Sequence, residues 1–382
     1  MRPRFIGSDI YRRSSYGAGH PLAIPRVSTC IDLCRILGWL PDEVYQDSPM
    51  ATPAELARFH RPDYIAAVQR AERLGRIERA AAERYSLGRN GNPVFPEIFS
   101  RPATACGASL WAARRLADPA APERIIYSPA GGTHHGQPDR ASGFCYFNDP
   151  VLAILTLLDS GLERVLYVDI DAHHCDGVQA ALSHDPRVLM ISIHEAGRWP
   201  TTAAGAGGAQ DRGGGGAVNI PVLRGFNDSE MDYLREAAIL PLAADFAPQV
   251  TILQCGADAL AGDPLSRLEL SNGALWQVAA DLRDLSPRLL VLGGGGYNPW
   301  TVGRCWAGVW GRLNGFEIPE RLPDAAEALL RGIVWRHRLA RNPPEAWFTS
   351  LQDAPRRGLL REETRAALRT ALARPAVRCA VR

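Results

Sequence analysis

The chain of 382 residues contains no lysine, and all 43 of its basic residues are arginine. The simplest interpretation is a coding bias toward arginine. The 41 acidic residues leave a net charge of +2, and no long basic run is present. Because nucleic acids and anionic membranes are recognised by clustered positive charge, the sequence predicts neither kind of partner.

Long apolar runs and paired cysteines are also missing. No apolar stretch approaches the length of a transmembrane helix, and residues 1–10 lack the apolar core of a signal peptide. The eight cysteines are scattered without a CxxC pair, which is typical of a reducing compartment rather than of a disulfide framework. We therefore expect a cytoplasmic protein. With 46% hydrophobic residues, the chain can bury a large core.

Apolar runs that end at turn residues alternate with helical patterns along most of the chain. Such alternation predicts an α/β fold with a mostly parallel sheet and helices on both faces. We expect strands at 5–7, 124–128, 165–171, 188–194, 250–255 and 289–292, and helices at 27–38, 63–84, 101–116, 150–159, 228–245 and 273–285. A capping box at Thr52 predicts a further helix start. No linker or repeat divides the sequence, so we expect one domain over residues 1–382, with residues 319–382 mostly helical, packed on that domain and frayed at the end.

The predicted strand at 165–171 is the most informative part of the sequence, because its apolar residues end abruptly in carboxylates and imidazoles. Open α/β sheets bind their ligands at the carboxyl ends of strands. Buried carboxylates without partners are costly, so a cation is expected beside them. Asp171 and His173 lie two residues apart and would point the same way on an extended backbone. They form a candidate pair of metal ligands with one oxygen and one nitrogen donor.

Other polar groups follow three more of the predicted strands: the adjacent His134 and His135, Asp258, and Tyr297 after four glycines. Asp171, His173 and Asp258 would give three ligands with an open position, which is typical of catalytic rather than structural zinc. A water bound there would act as a nucleophile near neutral pH, and a substrate carbonyl would be polarised on the same ion.

The remaining groups could complete a hydrolytic site. His134 and His135 are candidates for a base and its electrostatic partner. Asp169 and Asp176 are candidates to hold the second ring nitrogen of each histidine. Tyr297 could donate a hydrogen bond to the oxyanion that forms, and the glycines before it would let the backbone approach the metal closely.

Each of these features has a simpler interpretation when it is taken alone. A pair of histidines is usually incidental, a glycine run is often only a turn, and Asp258 could cap a helix. The combination is specific, because every simpler interpretation would have to hold at the same time.

Five motifs extend this pattern over nearly the whole chain: GGTHH at 131–135, GFCYFND at 143–149, and the segments 169–177, 254–263 and 293–297. His20-Pro21 and Ile24-Pro25-Arg26 add matches near the start. With these motifs the chain resembles the zinc-dependent histone deacetylases of the class I type, with the bacterial histone deacetylase-like and acetoin-utilisation proteins as the nearest branch. The resemblance implies the arginase/deacetylase-type α/β fold.

The resemblance also implies a role for each matching residue. It implies Zn²⁺ on Asp171, His173 and Asp258, His135 as the main general base and acid beside His134, orientation of these histidines by Asp169 and Asp176, and polarisation of the scissile carbonyl by Tyr297. It implies that Gly143, Phe144, Trp199 and Leu265 line an acyl tunnel and its rim, and that Arg26 lines an internal channel below the metal. It implies a structural K⁺ held by the backbone carbonyls of Asp169, Asp171 and His173 with Ser192 and Ile193.

Three positions depart from the family pattern. Cys175 replaces a glycine that most members carry, and Gly91 stands where many family deacetylases have an acidic rim residue that holds a peptide backbone. The loop after His194 is shortened, which bears on the place of Trp199. The two rim differences argue against peptide or histone substrates, but they leave the chemistry of the metal site unchanged.

The residues and the resemblance together predict a mononuclear metal-dependent amidohydrolase that removes acetyl or other acyl groups from acylated amines, above all acyl-lysine. Three alternatives stay open: an acetylpolyamine or small-amine deacetylase, an arginase-like binuclear manganese hydrolase, and a catalytically silent acyl-lysine-binding protein. The manganese alternative needs a DxD pair, whereas the sequence reads Asp258-Ala259-Leu260. Fe²⁺ is compatible with the same three donors as Zn²⁺. No obligate protein partner is predicted.

Overall fold

The computed structural model describes residues 2–201 and 205–373. Within these ranges the strands are β1 (Arg4–Gly7), β2 (Tyr45–Asp47), β3 (Ile125–Ser128), β4 (Val165–Asp169), β5 (Val188–Glu195), β6 (Ala217–Val222), β7 (Val250–Gln254) and β8 (Leu289–Leu292). They form one sheet in the order β2-β1-β3-β8-β7-β4-β5-β6, and each pair of neighbours runs parallel. The predicted α/β architecture is therefore confirmed.

The α-helices of the described residues are α1 (Ile10–Arg13), α2 (Arg26–Ile36), α3 (Pro53–Leu56), α4 (Pro62–Leu74), α5 (Arg79–Tyr85), α6 (Ser100–Ala117), α7 (Asp149–Asp159), α8 (Asp176–Leu182), α9 (Asp228–Leu234), α10 (Leu240–Phe246), α11 (Asn272–Leu285), α12 (Pro299–Asn314), α13 (Asp324–Arg331), α14 (Ala346–Thr349) and α15 (Glu362–Leu372). Short 3₁₀-helices occupy Asp42–Val44, Ala257–Ala259 and Arg338–Ala340, and a π-helix, Arg235–Ile239, joins α9 to α10.

Two hydrophobic cores pack on the two faces of the sheet. Helices α2, α11 and α12 contribute to one core, in which Trp276, Trp306 and Trp310 are fully buried. Helices α6, α7 and α8 contribute to the other, with Ala112 and Ile154 among its buried residues. A parallel sheet between two helical layers is buried on both faces, which explains why its strands are almost continuously apolar.

Two long predicted helices are divided in the structure, so both predictions were wrong in part. The predicted helix 63–84 ends at Leu74, because Gly75 adopts a left-handed conformation (φ 62°) and the chain starts again as α5. The predicted helix 228–245 is interrupted by the π-helix between α9 and α10. The capping box at Thr52, in contrast, is present at the start of α3.

Strands β2 and β6 and helices α8 and α12 were not predicted from the sequence. Strand β6 contains Pro221 and lies at the edge of the sheet, where proline is tolerated. Helix α12 begins with a recognisable signal, since the Asn298 side chain caps the first turn and Pro299 follows it.

The C-terminal part is less helical than predicted. Helices α13, α14 and α15 are separated by irregular stretches that contain several prolines. Arg304 of α12 is fully buried and donates to the carbonyl of Ser350 (2.6 Å) and to Asp353 (2.7 Å), which ties this part to α12. Helix α15 packs along the edge strand β6 and covers it. The predicted frayed end falls on residues 374–382, outside the described residues.

Arginine is the cation of the surface ion pairs, since the chain has no lysine. Arg58, for example, makes two hydrogen bonds to Asp159 (2.7 and 2.8 Å), and Arg361 makes two to the buried Glu230 (2.9 and 2.7 Å). The planar guanidinium favours such two-point contacts with a carboxylate.

Candidate metal and catalytic site

The four predicted polar clusters lie at one edge of the sheet. They follow β3, β8, β7 and β4, which are neighbours in this order, so the carboxyl ends of these strands meet in one place. The histidine pair His134 and His135 follows β3, Tyr297 follows β8, Asp258 follows β7, and Asp171 and His173 follow β4. The parallel topology thus brings together residues that are far apart in the sequence.

The predicted strand 165–171 ends two residues earlier, at Asp169, so Asp171 and His173 lie in the segment that follows β4. Asp169 Oδ1 accepts a hydrogen bond from the N–H of Asp171 (3.0 Å), and Asp171 Oδ1 accepts one from the N–H of His173 (2.9 Å). Each aspartate thereby forms a turn with the residue two positions later. These turns place both side chains beside Asp258, which lies in the 3₁₀-helix after β7.

Asp171, His173 and Asp258 form a buried group of potential metal ligands. One ligand atom from each residue lies within 4.8 Å of the other two. His173 Nδ1 is 2.9 Å from Asp258 Oδ2 and 3.2 Å from Asp171 Oδ1. In the part of the chain that the structure describes, no other group of three or more histidine, cysteine or acidic residues has this spacing.

Glycines leave the space that these ligands need. A Cβ atom at Gly295 would lie 2.0 Å from Asp258 Oδ2, and one at Gly256 would lie 2.1 Å from Asp171 Oδ2. The N–H of Gly295 donates to Asp171 Oδ2 at 2.7 Å. The close approach of backbone to carboxylate is therefore the reason that these two positions carry no side chain.

The charges of the three ligands fit a bound cation. In the metal-free protein, burial lowers the pKa of His173, but the hydrogen bonds and charges of Asp171 and Asp258 outweigh it and raise this pKa to about 10. Burial and the charge of Asp171 also raise the pKa of Asp258. A divalent cation would displace the His173 proton and balance both carboxylates, and two oxygens with one imidazole nitrogen suit Zn²⁺.

His134 and His135 are each held by one carboxylate. His134 Nδ1 is 2.7 Å from Asp169 Oδ2, and His135 Nδ1 is 2.6 Å from Asp176 Oδ1. Because an ionised carboxylate only accepts hydrogen bonds, both Nδ1 atoms carry a hydrogen. The two Nε2 atoms lie 3.0 Å apart and share one further proton.

The two imidazoles differ in charge. Burial lowers the pKa of His134, but the charges of Asp169 and Asp171 outweigh it and raise this pKa to about 9. Burial and the charge of His134 lower the pKa of His135 to about 4. Near neutral pH, His134 is therefore the cation and His135 the neutral imidazole that can take up a proton.

Tyr297 is held at the same place by its backbone. Its side chain is buried, with its ring 5.9 Å from that of Phe144. Its N–H donates to Asp263 Oδ2 at 2.7 Å, and Asp263 Oδ1 accepts from the N–H of Leu265 at 2.8 Å. Asp263 is the last residue of the motif 254–263, and no role was predicted for it from the sequence.

A cleft of about 750 Å³ leads from the surface to these groups. All four predicted tunnel residues line it: Gly143, Phe144, Trp199 and Leu265. The Trp199 ring lies 4.7 Å from that of His135, and Trp199 is 51% exposed, so it stands at the mouth. The shortened loop after His194 therefore still brings an aromatic ring to the opening.

Gly91 at the rim has a structural reason. Phe144 adopts φ 67° and donates its N–H to Asn92 Oδ1 at 2.9 Å, which fixes its ring over position 91. A Cβ atom at Gly91 would lie 2.6 Å from that ring, and Gly91 itself has φ 78°. An acidic side chain at this position would require Phe144 to move.

Arg26 lies behind the three candidate metal ligands. Its Nη1 donates to the carbonyl of Gly294 at 2.7 Å, and its guanidinium lies 5.2 Å from the centre of the Trp306 ring. A second cavity of about 50 Å³ borders Arg26 and also reaches Asp171 and Tyr297. Arg26 thus lines an internal space next to the ligand group.

The residues predicted to bind K⁺ lie on two neighbouring strands and the turn that follows them. Asp169 of β4 is paired with Ser192 of β5, and Ile193 is the next residue along β5. The Ser192 hydroxyl lies 2.9 Å from His194 Nδ1. The described geometry brings these residues together without assigning an ion to them.

Asn148 and Asp149, for which no role was predicted, fix the loop of the histidine pair. Asp149 accepts hydrogen bonds from the N–H groups of Gly132 (3.0 Å) and Thr133 (2.8 Å). The Asn148 side chain donates to the carbonyl of His134 (3.2 Å). The NDP sequence after the predicted loop is a helix-start signal that could have located these contacts.

Comparison with known proteins agrees with this geometry. A histone deacetylase domain matches residues 20–313, which is most of the chain. The chain belongs to the histone deacetylase family. Histone deacetylase 3 of Oryza sativa subsp. japonica is 37% identical over 318 residues, 81% of this chain and 60% of that protein. Histone deacetylase RPD3 of Saccharomyces cerevisiae is 34% identical over 316 residues, 81% of this chain and 71% of that protein.

The chain spans about 60% of the length of the first of these curated relatives. Two solved structures match over almost the whole chain: an HDAC homolog complexed with SAHA and an HDAC homolog from Aquifex aeolicus. Each has a TM-score of 0.90 and 34% identity, and each match covers 97% of this chain and 100% of the other. The predicted family and fold are confirmed. Among the described helices, none combines the length and the apolar character that a membrane crossing requires.

Proposed function

We propose that this protein is a zinc-dependent amidohydrolase that removes acetyl or other acyl groups from acylated amines, with acyl-lysine as its main substrate. The observation that carries the proposal is the meeting of three metal ligands, a neutral imidazole and a phenol at the base of one cleft. Family membership supports the same reaction, because the matched relatives are named histone deacetylases.

Asp171, His173 and Asp258 are assigned as the ligands of one Zn²⁺ per chain, and Fe²⁺ is compatible with the same donors. When bound, such an ion polarises an acyl carbonyl and lowers the pKa of a water molecule. The glycines at 256 and 295 keep the backbone close to the ligands without filling their space.

The histidine pair handles the protons. His135 is neutral near pH 7 and borders the cleft, so its Nε2 can take a proton from the attacking water once the hydrogen bond from His134 Nε2 is released, and can return that proton to the leaving amine. Asp176 keeps the His135 ring oriented through Nδ1. His134, held by Asp169, carries a positive charge that stabilises the anionic transition state.

Tyr297 and the walls of the cleft bind and orient the substrate. The Tyr297 hydroxyl donates a hydrogen bond to the carbonyl oxygen as negative charge develops on it. The rings of Phe144 and Trp199 enclose a linear aliphatic stem and exclude water from the reacting bond. Leu265 lies at the rim. Because position 91 is glycine, the rim has no acidic side chain there that would bind a peptide backbone.

Several further assignments belong to the same proposal. Arg26 lines an internal channel below the metal, and a structural K⁺ is held by the backbone carbonyls of Asp169, Asp171 and His173 with Ser192 and Ile193. The C-terminal helices belong to the same domain as the sheet, and the protein acts in the cytoplasm. Its substrates are acylated lysine side chains or small acylated amines, and neither a nucleic acid nor a membrane is a partner.

Metal removal and one substitution at the phenol test the proposal. The Zn²⁺-loaded protein should hydrolyse an acetyl-lysine reporter, and a chelator or a hydroxamate should abolish that activity. Tyr297→Phe should lower kcat on the order of 10²–10³-fold, because it removes one donor to the oxyanion. Its metal content should stay at one ion per chain, since the phenol is not a ligand. Unchanged turnover after complete metal removal would sink the proposal, and two ions per chain would favour the binuclear alternative.

A further inference from the structure

Asp263 is a buried carboxylate that belongs neither to the three metal ligands nor to the histidine pair. Its side chain is 5% exposed, and its two oxygens accept hydrogen bonds from two different loops. Oδ1 accepts from the N–H of Leu265 (2.8 Å) in the loop after β7. Oδ2 accepts from the N–H of Tyr297 (2.7 Å) in the loop after β8. One side chain therefore joins the rim of the cleft to the backbone of the phenol.

These contacts require a carboxylate rather than an amide. A carboxylate offers two accepting oxygens, whereas an asparagine offers one oxygen and an NH₂ group that would face a second N–H. A buried N–H without an acceptor is costly. Burial and the charge of Asp258 raise the pKa of Asp263, so this position holds an acid where the surroundings disfavour its charge.

The place of the phenol depends on these contacts. The glycines before Tyr297 give the loop few side-chain contacts of its own, and Gly294 and Gly296 have φ of 118° and 133°. Such a backbone has wide conformational freedom unless other groups hold it. On the N-terminal side it is held by Arg26 and Asp171, and at Tyr297 itself by Asp263.

We propose that Asp263 is a positioning residue that fixes the Tyr297 phenol over the scissile carbonyl and couples it to Leu265 at the mouth of the cleft. This inference rests on the proposed function, because it assigns Asp263 a share of the activity of Tyr297. It predicts that loss of Asp263 lowers kcat rather than raising KM, since the bond to Tyr297 is needed in the transition state.

The chain offers a matched control in Asp228. This carboxylate is 4% exposed, and it also joins two segments through backbone N–H groups, those of Ser271 (2.9 Å) and Arg356 (2.7 Å). Its partners lie outside the cleft lining. Asp228→Asn therefore removes a comparable buried link without touching the phenol.

A double-mutant cycle separates a positioning role from a structural one. Asp263→Asn should lower kcat about tenfold or more with KM changed less than about threefold, and the same change in a Tyr297→Phe background should cost less than about twofold further. Asp228→Asn should leave kcat within about twofold of the wild type. Independent kcat losses that multiply in the double variant, or equal kcat losses in Asp228→Asn, would overturn the inference.

Hydrogen exchange gives a readout that does not depend on activity. The Tyr297 amide should exchange about tenfold faster in Asp263→Asn than in Asp228→Asn, because only in the first must it share a single side-chain acceptor with the Leu265 amide. Equal protection in the two variants would contradict the inference even if the enzyme is active. An inactive wild type with faster exchange in Asp263→Asn would refute the proposed function and leave the structural link standing. If Asp263→Asn does not fold, Asp263→Glu, which keeps both oxygens but displaces them, enters the same cycle with the same criteria.

Discussion

Two glycine-rich loops border the cleft, and Gly295 of one and Gly205 of the other show two different uses of glycine. In the loop 293–297, backbone groups are bound by Arg26, Asp171 and Asp263, and a side chain at Gly295 would collide with Asp258, a proposed metal ligand. In the mouth loop, defined here as residues 196–201 and 205–216, Gly205 has φ 92°, and no atom of the described residues lies within 4 Å of its Cβ position. At Gly295 the missing side chain permits close approach to a carboxylate, whereas at Gly205 it permits a left-handed backbone. Tyr297, which is proposed to act in the reaction, therefore follows a backbone held by several hydrogen bonds. The Trp199 ring at the mouth of the cleft is half exposed to solvent.

Replacing one glycine by alanine in each loop should give the largest difference in metal content and activity between the two loops. Gly295→Ala places a Cβ atom 2.0 Å from Asp258 Oδ2, so we expect loss of bound metal and a fall in kcat/KM on the order of 10³-fold. Gly205→Ala should cost about 1 kcal/mol of stability through its left-handed φ and leave the metal bound. Metal analysis and steady-state kinetics measure both. Full metal content in Gly295→Ala would break the comparison.

The pH dependence of metal binding should give the next largest effect. The metal-free pKa of His173 is raised to about 10 from the ordinary value of 6.5. Because a ligand must be deprotonated, Zn²⁺ affinity should rise about tenfold per pH unit between pH 6.5 and 10. The protonated His173 stabilises the metal-free protein fully below pH 6.5, and this contribution is lost as pH rises through about 10.

Thermal unfolding at pH 6.5, 8 and 9.5 checks both signs. The melting temperature of the metal-free protein should fall across this range relative to that of the metal-loaded protein. Gly205→Ala, which changes the mouth loop, should show the same change of melting temperature with pH as the wild type. A constant gap between the metal-free and loaded proteins would mean that His173 does not exchange a proton for the metal.

The mouth loop should respond more weakly and in a different parameter. Asp211 accepts hydrogen bonds from the N–H of Gly207 (2.9 Å), the N–H of Gly213 (2.9 Å) and the side chain of Gln179 (2.8 Å). Asp211→Asn removes one acceptor and should loosen the loop that carries Trp199. We expect KM to rise about three- to tenfold, the equivalent of one hydrogen bond, with kcat within about twofold.

Asp185→Asn is a suitable control, because Asp185 pairs with Arg187 outside the cleft lining and should leave both parameters unchanged. A panel of acyl-lysine reporters of increasing chain length would show whether Asp211→Asn also relaxes the choice of acyl group. A fall in kcat at constant KM would mean that Asp211 affects the chemical step, as we expect for the loop 293–297. The distinction between the two loops would then fail.

Much of the site could be predicted because the chemistry follows strand ends. Apolar runs marked β3, β4, β7 and β8, and in a parallel sheet the residues after such strands converge. That is why Asp171, His173 and Asp258 could be named before the fold was known. The direction of their side chains could not, because two aspartate turns replaced the expected end of the strand.

The contacts that hold the site were harder to predict. Asp263 has a role only because the loops after β7 and β8 meet in space, and no spacing along the sequence encodes that meeting. Gly91 is explained by the ring of Phe144, which is 53 positions away. The helical pattern predicted one helix over 63–84, but that helix ends at Leu74. The amphipathic pattern continues past Gly75, although Gly75 adopts a left-handed turn. Hydrophobic periodicity indicates which face of a helix is buried, but it does not indicate where the helix ends.

The absence of lysine has a practical consequence for the activity assays described above. Hydrolysis of an acylated lysine or polyamine liberates a primary amine, and the side chains of this protein contribute none of their own. An amine-reactive dye added directly to the reaction should therefore report product with very little signal from the catalyst. For the same reason, amine-reactive coupling cannot attach the protein to a support through its side chains, and immobilisation has to use other chemistry.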